Sequence, residues 1–267
     1  MASQLVVFSD LDGTLLDHDT YSFEPAREAL ETLRRQGIPL ILATSKTAAE
    51  IGPLQDAMGL RHPAIVENGA GLVVPAGYFD GCVADGAGVP YAEIRRALKE
   101  MDSELSGHFM GFGDWSVEDI ARRTKLTLDA AARARDRRWS EPGLWDGDDA
   151  ALGRFRDALK PLQAVRGGRF LTLMGPGSKA DRMAALCTCY RAQLDGDVLT
   201  VALGDAPNDR EMIEAADIGV IVANPSHPPL PRLPGESAGT IRRTVLAGPA
   251  GWNRAILDIV EEQARPQ

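Results

Sequence analysis

The chain has 267 residues, of which 44% are hydrophobic and 25% are charged, and its formal net charge is −9. This length allows one large domain or two modest ones, and the composition is that of a soluble globular protein. The acidic balance argues against nucleic acid as a partner, because phosphate backbones attract basic surfaces. No segment is long and apolar enough to span a bilayer, and the start lacks a signal-peptide pattern. We therefore expect a cytoplasmic protein with no membrane partner.

The three cysteines, Cys82, Cys187 and Cys189, do not indicate a disulfide framework, because their number is odd and they are scattered. Cys187 and Cys189 are two positions apart on a predicted helix and face different sides of it. No histidine or further cysteine completes a zinc-binding set around them. This number and spacing of cysteines is consistent with a protein in a reducing compartment.

The first part of the chain alternates predicted strands and helices. An apolar strand at 5–9 is followed by a helix from Pro25 to Gly37, a strand at 38–43, a helix at 47–58 and a short strand at 64–66. This βαβαβ order predicts a doubly wound parallel sheet of the α/β class.

The middle of the chain does not keep that alternation. It reads in turn as a hairpin between Gly69 and Gly88, a helix at 91–105, a short apolar segment at 108–112, helices from 116 and from 128, a strand at 139–145, a helix at 148–162 and a strand at 170–174. Such a mixture is typical of an α+β insert.

The last part returns to the βαβ order. The predicted elements are a helix at 178–194, a strand at 198–203, a helix at 209–216, a strand at 218–222, a proline-rich loop at 225–234, a short strand and a helix at 251–262. Segments 1–84 and 175–267 are thus predicted to form one sheet-based core, into which 85–174 is inserted as a cap.

Two acids follow the first strand, at Asp10 and Asp12. Side chains at i and i+2 of a strand point the same way, so both carboxylates are expected at the carboxyl edge of the sheet, where α/β proteins bind ligands. Two carboxylates at such a short distance repel each other unless a cation lies between them. Mg²⁺ prefers oxygen ligands of this kind. The alternative is a plain polar turn in which Gly13 supplies a positive φ.

A second acidic cluster, Asp205 and Asp209, follows the predicted strand at 198–203. Because a second buried strand delivers carboxylates to the same edge, Asp10, Asp12 and Asp205 are expected to converge on one cation. Asp209 also has an alternative role as the cap of the next helix.

Thr44 and Ser45 end the second predicted strand, where a hydroxyl can donate to a phosphoryl oxygen. Each hydroxyl also has an alternative role as N-cap of the helix at 47–58. Lys179 stands at a helix start, where the helix dipole disfavours a cation. An acidic partner or a substrate phosphate would explain that placement, and a solvated surface lysine is the alternative.

Four short motifs in chain order resemble those of the haloacid dehalogenase (HAD) superfamily of phosphohydrolases. They are Asp10-Leu11-Asp12-Gly13-Thr14-Leu15, Thr44, Lys179 and Gly204-Asp205-x-x-Asn208-Asp209. The long segment between the second and third motifs resembles the α+β cap of the Cof-type subgroup. The resemblance implies a Rossmann-like core with an inserted cap.

The same resemblance implies a Mg²⁺-dependent phosphatase that works through an aspartyl-phosphate. Asp10 would be the nucleophile and Asp12 the general acid and base. Mg²⁺ would be held by Asp10, the backbone carbonyl of Asp12, and Asp205, with Asp209 orienting waters or joining the ligands. Thr44 and Lys179 would bind the phosphoryl oxygens.

Further stretches, mainly in the predicted cap, are similar to the mannosyl-3-phosphoglycerate phosphatase family. They are residues 43–47, 67–70, 111–114, 167–170, 204–209 and 248–252. This similarity implies a phosphorylated glycoside as partner, mannosyl- or glucosyl-3-phosphoglycerate. The implied substrate-binding residues are Ser45, Asn68, Gly111, Asp114, Arg169 and Asn208. Among them, Arg169 would bind the glycerate carboxylate and Asp114 the sugar hydroxyls.

Three other functions stay open on the sequence alone. They are a broader sugar-phosphate phosphatase of the Cof type, a phosphohexomutase, and a binding protein with an inactive site. The oligomeric state is expected to be a monomer or a homodimer.

Overall fold

The computed structural model of the protein describes residues 4–82, 88–167, 170–194 and 197–265. Within them the strands form two separate sheets. The strands are β1 (Gln4–Ser9), β2 (Leu40–Ala43), β3 (Ala64–Val66), β4 (Gly71–Val73), β5 (Phe109–Gly111), β6 (Ser140–Trp145), β7 (Gln163–Gly167), β8 (Phe170–Met174), β9 (Val198–Gly204), β10 (Ile218–Ala223) and β11 (Ile241–Ala247).

The α-helices connect these strands. They are α1 (Arg27–Gln36), α2 (Ala48–Met58), α3 (Tyr91–Glu100), α4 (Ser103–Ser106), α5 (Val117–Thr124), α6 (Leu128–Arg135), α7 (Asp149–Leu159), α8 (Lys179–Leu194), α9 (Arg210–Ala215), α10 (Pro234–Ala238) and α11 (Gly248–Ala264).

The larger sheet has seven strands in the order β11-β10-β9-β1-β2-β3-β4. All neighbours in it are parallel except β3 and β4, which form an antiparallel hairpin at one edge. The chain passes from β1 to β2 and β3 on one side and later places β9 on the other side of β1. In open α/β sheets, such a reversal of strand order is where ligands bind.

Helices cover both faces of this sheet, as the α/β prediction requires. Along β1, Leu5 and Val7 face one way and pack with residues of α1 and α11, whereas Val6 and Phe8 face the other way and pack with α8. Side chains alternate between the faces of a strand, so a strand buried on both faces needs a continuous apolar run. Burying each of these large side chains stabilises the fold by about 1.5–3 kcal/mol.

The smaller sheet is antiparallel, with the order β5-β6-β8-β7. Helices α3 and α7 pack on it through Ile94, Leu152 and Phe155, around a separate apolar core. The sheet lies within the segment for which the sequence predicts an α+β insert. We call this part the cap below. Its bounds at residues 85 and 174 stay a prediction.

The structure of the cap differs from the prediction in two places. The helix expected at 91–105 is broken in two, because Met101 leaves the helical conformation and the side chain of Asp102 caps α4 by accepting from the N–H of Glu104. Strand β7 was not predicted at all. It lies at the edge of the sheet, and only its pairing with β8 defines it as a strand.

The structure also corrects the analysis of the cysteines. Cys82 and Cys189 form a disulfide that the sequence analysis did not anticipate, and Cys187 is a buried free thiol. The two bonded residues are 107 positions apart, and it is the packing of α8 near Cys82 that brings them together. Scattered spacing therefore did not exclude a disulfide.

None of the described helices combines the length and the apolar character that crossing a membrane requires.

Candidate active site

Three buried carboxylates meet where β1 and β9 end. Asp10 follows β1 and Asp205 follows β9, and the N–H of Asp10 donates to the carbonyl of Leu203 at 2.9 Å, which ties the two strand ends together. One oxygen each of Asp10, Asp205 and Asp209 lies within 4.8 Å of the others. Two adjacent parallel strands thus place residues nearly 200 positions apart in one cluster.

Lys179 is the cation of this cluster. Its Nζ lies 2.6 Å from Oδ1 of Asp10 and 2.6 Å from Oδ1 of Asp209. Its side chain is only 1% exposed. The lysine at the start of α8 therefore has acidic partners, and the alternative of a solvated surface lysine is wrong.

The cluster carries more negative than positive charge. Burial, followed by repulsion from Asp209, raises the pKa of Asp10 well above its usual value, although Lys179 acts in the opposite direction. Burial alone would lower the pKa of Lys179, but Asp10 and Asp209 outweigh it and raise that pKa. Three carboxylates against one ammonium leave an excess of two negative charges when all are ionised. A divalent cation with oxygen ligands fits this donor set.

Asp205 is held by three donors from outside the cluster. Its Oδ1 accepts from the hydroxyl of Thr14 at 2.6 Å, and its Oδ2 accepts from Nδ2 of Asn224 at 2.8 Å. Nε2 of His227 lies 2.7 Å from the same Oδ2. The two carboxylate oxygens are thereby fixed in orientation, as a metal-binding or phosphate-facing carboxylate requires.

Thr14 was named only as part of the first motif, with no contact to Asp205 predicted, and Asn224 and His227 were not predicted as site residues. Asn224 follows the buried strand β10, so the rule that found Asp10 and Asp205 would also have found it. Gly13 has a φ of +83°, and a Cβ there would lie 2.1 Å from Nδ2 of Asn224, so only glycine allows this close approach. His227 lies in the proline-rich loop, and nothing in the sequence pattern singles it out.

Asp209 shapes the loop that carries Asp205. Its Oδ2 accepts from the backbone N–H groups of Asp205 and Ala206, at 3.1 and 3.0 Å. Its other oxygen is bonded to Lys179. Both oxygens of Asp209 thus have hydrogen-bond partners. This arrangement is compatible with a role in orienting the loop and the other ligands, as well as with direct metal binding.

Asp12 lines the same cavity as Asp10 but does not belong to the three-carboxylate cluster. Its Oδ2 lies 2.7 Å from Nζ of Lys46, whose side chain is 14% exposed. Its Oδ1 is buried and has no hydrogen-bond partner among the described residues. The Asp12 side chain is 35% exposed at the cavity, so its carboxylate can contact a bound molecule and exchange a proton with it.

Thr44 and Ser45 follow β2, on the far side of β1 from Asp205. Thr44 is buried, and its Oγ1 accepts from the N–H of Lys46 at 3.1 Å, which leaves its hydroxyl hydrogen free to donate. Neither residue caps the next helix. Thr47 is the N-cap of α2, with Glu50 completing a capping box, so the capping alternative is wrong for both.

Asn68 and Asn208 contact each other across the site, with Nδ2 of Asn208 3.2 Å from Oδ1 of Asn68. Both line the cavity. The backbone of Asn68 and Gly69 has φ values of 61° and 88°. A Cβ at Gly69 would lie 2.3 Å from the carbonyl carbon of Ser178, so this glycine lets the loop after β3 lie against the start of α8.

Glu67 joins the core to the cap. It is fully buried, and its carboxylate accepts from the N–H groups of Arg138 and Trp139, at 3.0 and 3.2 Å, and from the hydroxyl of Ser140 at 2.6 Å. These donors lie where the chain enters β6 of the cap. A second connection runs from the hydroxyl of Thr47 to the carbonyl of Arg133 at 2.9 Å.

A cavity of about 770 Å³ lies between core and cap, next to the carboxylate cluster. Such a volume is typical of small-molecule sites. The core side includes Asp10, Asp12, Ser45, Lys46, Asn68, Asp205 and Asn208. The cap side includes Phe112, Lys125, Arg137, Pro142, Phe170 and Thr172. The wall thus combines carboxylates, amides, cations and apolar rings.

Two other predicted substrate-binding residues, Gly111 and Asp114, are not part of the cavity lining. Asp114 does not line the cavity; it pairs with Arg95 and accepts from the N–H of Gly111 at 2.9 Å. A Cβ at Gly111 would lie 2.0 Å from Oε1 of Glu141, so this glycine admits the buried Glu141 side chain. Arg169 lies outside the described residues. The roles proposed for these three residues stay predictions.

Comparison with known proteins places this geometry in a family. Residues 7–78 and 167–229 match the haloacid dehalogenase-like hydrolases. The chain is 34% identical to a glucosyl-3-phosphoglycerate/mannosyl-3-phosphoglycerate phosphatase of Methanococcoides burtonii, over 96% of this chain and 97% of the relative. It is 35% identical to a phosphatase of the same description from Persephonella marina, over 98% and 99%.

A solved structure supports the fold. The crystal structure of a haloacid dehalogenase-like hydrolase from Bacteroides thetaiotaomicron superposes with a TM-score of 0.67, at 23% identity, over 96% of this chain and 99% of that one. The predicted combination of a parallel-sheet core with an α+β cap is confirmed at the level of the fold.

Proposed function

The chain belongs to the haloacid dehalogenase-like hydrolases, and from this premise we propose that it is a metal-dependent phosphatase of glycosyl-3-phosphoglycerates. Its substrate would be glucosyl- or mannosyl-3-phosphoglycerate, and its products the glycosylglycerate and inorganic phosphate. Similarity along nearly the full length to two phosphatases described by this pair of substrates supports the choice. The observation that carries the chemistry is the buried cluster of Asp10, Asp205 and Asp209 beside a cavity of about 770 Å³.

In the first half of the reaction, the carboxylate of Asp10 attacks phosphorus and the bond from phosphorus to the ester oxygen breaks. Asp12 gives a proton to the departing oxygen, so the ester oxygen of the glycosylglycerate leaves as a neutral hydroxyl group and not as an alkoxide. The phosphoryl group is then held on Asp10 as an acyl phosphate. The hydroxyl of Thr44 and the ammonium of Lys179 donate to the phosphoryl oxygens, where negative charge is concentrated.

In the second half, Asp12 takes a proton from a water molecule, which attacks phosphorus. The bond between phosphorus and Asp10 breaks, phosphate is released, and both carboxylates return to their starting states. Proton transfer in both directions needs a carboxylate that is neither locked in the metal cluster nor fully paired. Asp12 meets this condition, because its Oδ1 has no partner among the described residues.

A divalent cation, for which we propose Mg²⁺, would be held by Asp10, the backbone carbonyl of Asp12, and Asp205, with Asp209 orienting the surrounding ligands. When bound, it supplies positive charge that neutralises the carboxylates and the phosphoryl oxygens. Thr14, Asn224 and His227 hold both oxygens of Asp205 in place for this role.

One assay tests the proposal. Phosphate release is measured from glucosyl- and mannosyl-3-phosphoglycerate, and from glucose 6-phosphate and mannose 6-phosphate as simple sugar phosphates, with Mg²⁺ and with EDTA. We expect turnover of the glycosyl-phosphoglycerates with Mg²⁺ and none with EDTA. Faster turnover of the simple sugar phosphates would favour a broader sugar-phosphate phosphatase. Transfer of phosphate between positions of a hexose, without release, would indicate a mutase.

A further inference from the structure

Lys46 is a partly buried cation at the cavity wall, and not all of its N–H donors are used within the protein. Its Nζ has one hydrogen-bonding partner among the described residues, Oδ2 of Asp12 at 2.7 Å, and it lies 5.3 Å from the centre of the Tyr21 ring. An ammonium group has three N–H donors. Two of them therefore remain for an anion that enters the cavity beside Asp12.

Arg137 brings a second cation to the same cavity from the cap. Its Nη1 donates to the carbonyl of Ser45 at 2.9 Å, so its guanidinium lies next to the residue that precedes Lys46. Its Nε donates to the carbonyl of Ala134 at 2.9 Å, which fixes the plane of the forked guanidinium group. Its Nη2 has no hydrogen-bond partner within the part of the chain that the structure describes.

The chemistry of the proposed substrate requires a binding site for its carboxylate close to Asp12. In a 3-phosphoglycerate, two carbon–carbon bonds separate the carboxylate carbon from the carbon that carries the ester oxygen. Standard bond lengths place that carboxylate carbon roughly 4 Å or less from the ester oxygen. Because Asp12 must contact the ester oxygen to protonate it, the carboxylate must lie close to Asp12. Lys46 is the cation that contacts Asp12.

We propose that Lys46 and Arg137 together form the subsite that binds the carboxylate of the phosphoglycerate leaving group. This inference rests on the proposed function and adds the residues that would select a carboxylate-bearing substrate over a simple sugar phosphate. Lys46 comes from the core and Arg137 from the cap. A substrate carboxylate between them therefore connects the two parts of the protein around the reacting phosphate.

The subsite is tested with a pair of substrates that differ in one group. Glucosyl-3-phosphoglycerate is compared with glucosylglycerol 3-phosphate, in which a hydroxymethyl group replaces the carboxylate. The readout is the ratio of their kcat/KM values, because a change that only disturbs Asp12 or the cap lowers both values together. We expect the wild-type protein to favour the carboxylate substrate by about 100-fold, as for hydrogen bonds to charged groups.

Lys46→Met and Arg137→Met are each expected to lower this ratio by about 10-fold or more. Arg137→Lys keeps the charge but loses the fork, so an intermediate ratio is expected. Lys160→Met is the matched control, because it removes one positive charge from an exposed pair with Asp157 and should leave the ratio unchanged.

A second measurement covers variants that lose turnover. Binding of the two substrates to Asp10→Asn proteins, with and without Lys46→Met, is measured by calorimetry, and the same change in ratio is expected for the dissociation constants. Equal losses for both substrates in the Lys46 and Arg137 variants would overturn the subsite and leave the proposed function intact. A wild-type protein that hydrolyses neither glycosyl-phosphoglycerate would overturn the proposed function and the subsite with it.

Discussion

Nζ of Lys179 lies 2.6 Å from Oδ1 of Asp10, although 169 positions separate the two residues in the chain. The contact joins the first turn of α8 to the end of β1, and both side chains are buried. The same ammonium also bonds to Asp209. Lys179 therefore serves two purposes: it offsets part of the repulsion among the buried acids, and it places a buried cation beside Asp10, where the phosphate is proposed to bind.

Lys179→Met is expected to destabilise the protein strongly in the absence of metal. The substitution leaves the carboxylates of Asp10 and Asp209 buried with no cation beside them, which costs about 3–5 kcal/mol when one partner of a buried ion pair is removed. The measurement is the free energy of unfolding in urea with EDTA present. Lys160→Met, which breaks an exposed pair, should cost less than about 1 kcal/mol. Equal small losses for both variants would contradict the role given to Lys179.

Asp10→Asn is expected to abolish turnover while the protein still folds. The amide cannot attack phosphorus as a carboxylate does, but it has nearly the same shape and removes one negative charge from a crowded cluster. Phosphate release should fall below detection, whereas circular dichroism and the unfolding transition should remain cooperative. Asp157→Asn, an exposed acid of an ion pair outside the cavity, is the control and should keep full activity. Residual turnover near the wild-type rate would exclude Asp10 as nucleophile.

Thr44→Val is expected to lower kcat/KM by about 10²–10³-fold, the effect of removing one donor from a developing oxyanion. Valine has nearly the shape of threonine, so the buried position after β2 stays filled. Thr44→Ser retains the hydroxyl and should restore most of the activity. Steady-state kinetics with the proposed substrate measure both variants. If the serine variant is as slow as the valine variant, the loss comes from packing and not from the hydroxyl.

The core of the fold and the two acidic clusters could be predicted from the sequence, because both follow from the local pattern of apolar and acidic residues. Continuous apolar runs mark strands buried on both faces, and acids directly after such runs must emerge at the carboxyl edge of the sheet. Asp10 and Asp205 were found in this way. The sequence placed Lys179 at a helix start, and the helix-dipole argument alone indicated that it needs an acidic or phosphate partner.

Residues that enter the site from loops could not be found in this way. His227 reaches Asp205 from a proline-rich segment, and Glu67 reaches the backbone of the cap from a tight loop with positive φ. Both contacts depend on tertiary packing, which leaves no periodic signal in the sequence. The Cys82–Cys189 disulfide was missed for the same reason. Strand β7 was missed because only its partner β8 makes it a strand.

The state of the cysteines can be counted by alkylation and mass spectrometry. Cys187 is buried, and burial raises the pKa of its thiol to about 11, so native protein at pH 8 is expected to take up no label. The thiolate is the reactive form, and little of it exists below such a pKa. Denatured protein should take up one label, and denatured, reduced protein three. Three labels without reduction would mean that Cys82 and Cys189 are not bonded in the purified protein.

Glu67 connects core and cap. Its removal is therefore expected to lower both the free energy of unfolding and the kcat/KM for large substrates. Glu67→Ala leaves the N–H groups of Arg138 and Trp139 and the hydroxyl of Ser140 without their acceptor in a buried setting. Each unsatisfied buried donor costs about 1–3 kcal/mol, so the free energy of unfolding should fall by several kcal/mol. Because the anchored segment leads into β6, the cap wall of the cavity should lose its fixed position.

The kinetic consequence separates anchoring from general destabilisation. At a temperature where Glu67→Gln is fully folded, kcat/KM for glucosyl-3-phosphoglycerate should fall at least 10-fold, because the glutamine amide presents N–H donors to a site lined by donors. Turnover of p-nitrophenyl phosphate, which is too small to need the cap wall, should change little. Glu24→Gln, which breaks an exposed pair with Arg27, is the control and should leave both substrates unaffected. Equal loss for both substrates would show that Glu67 acts on the core alone.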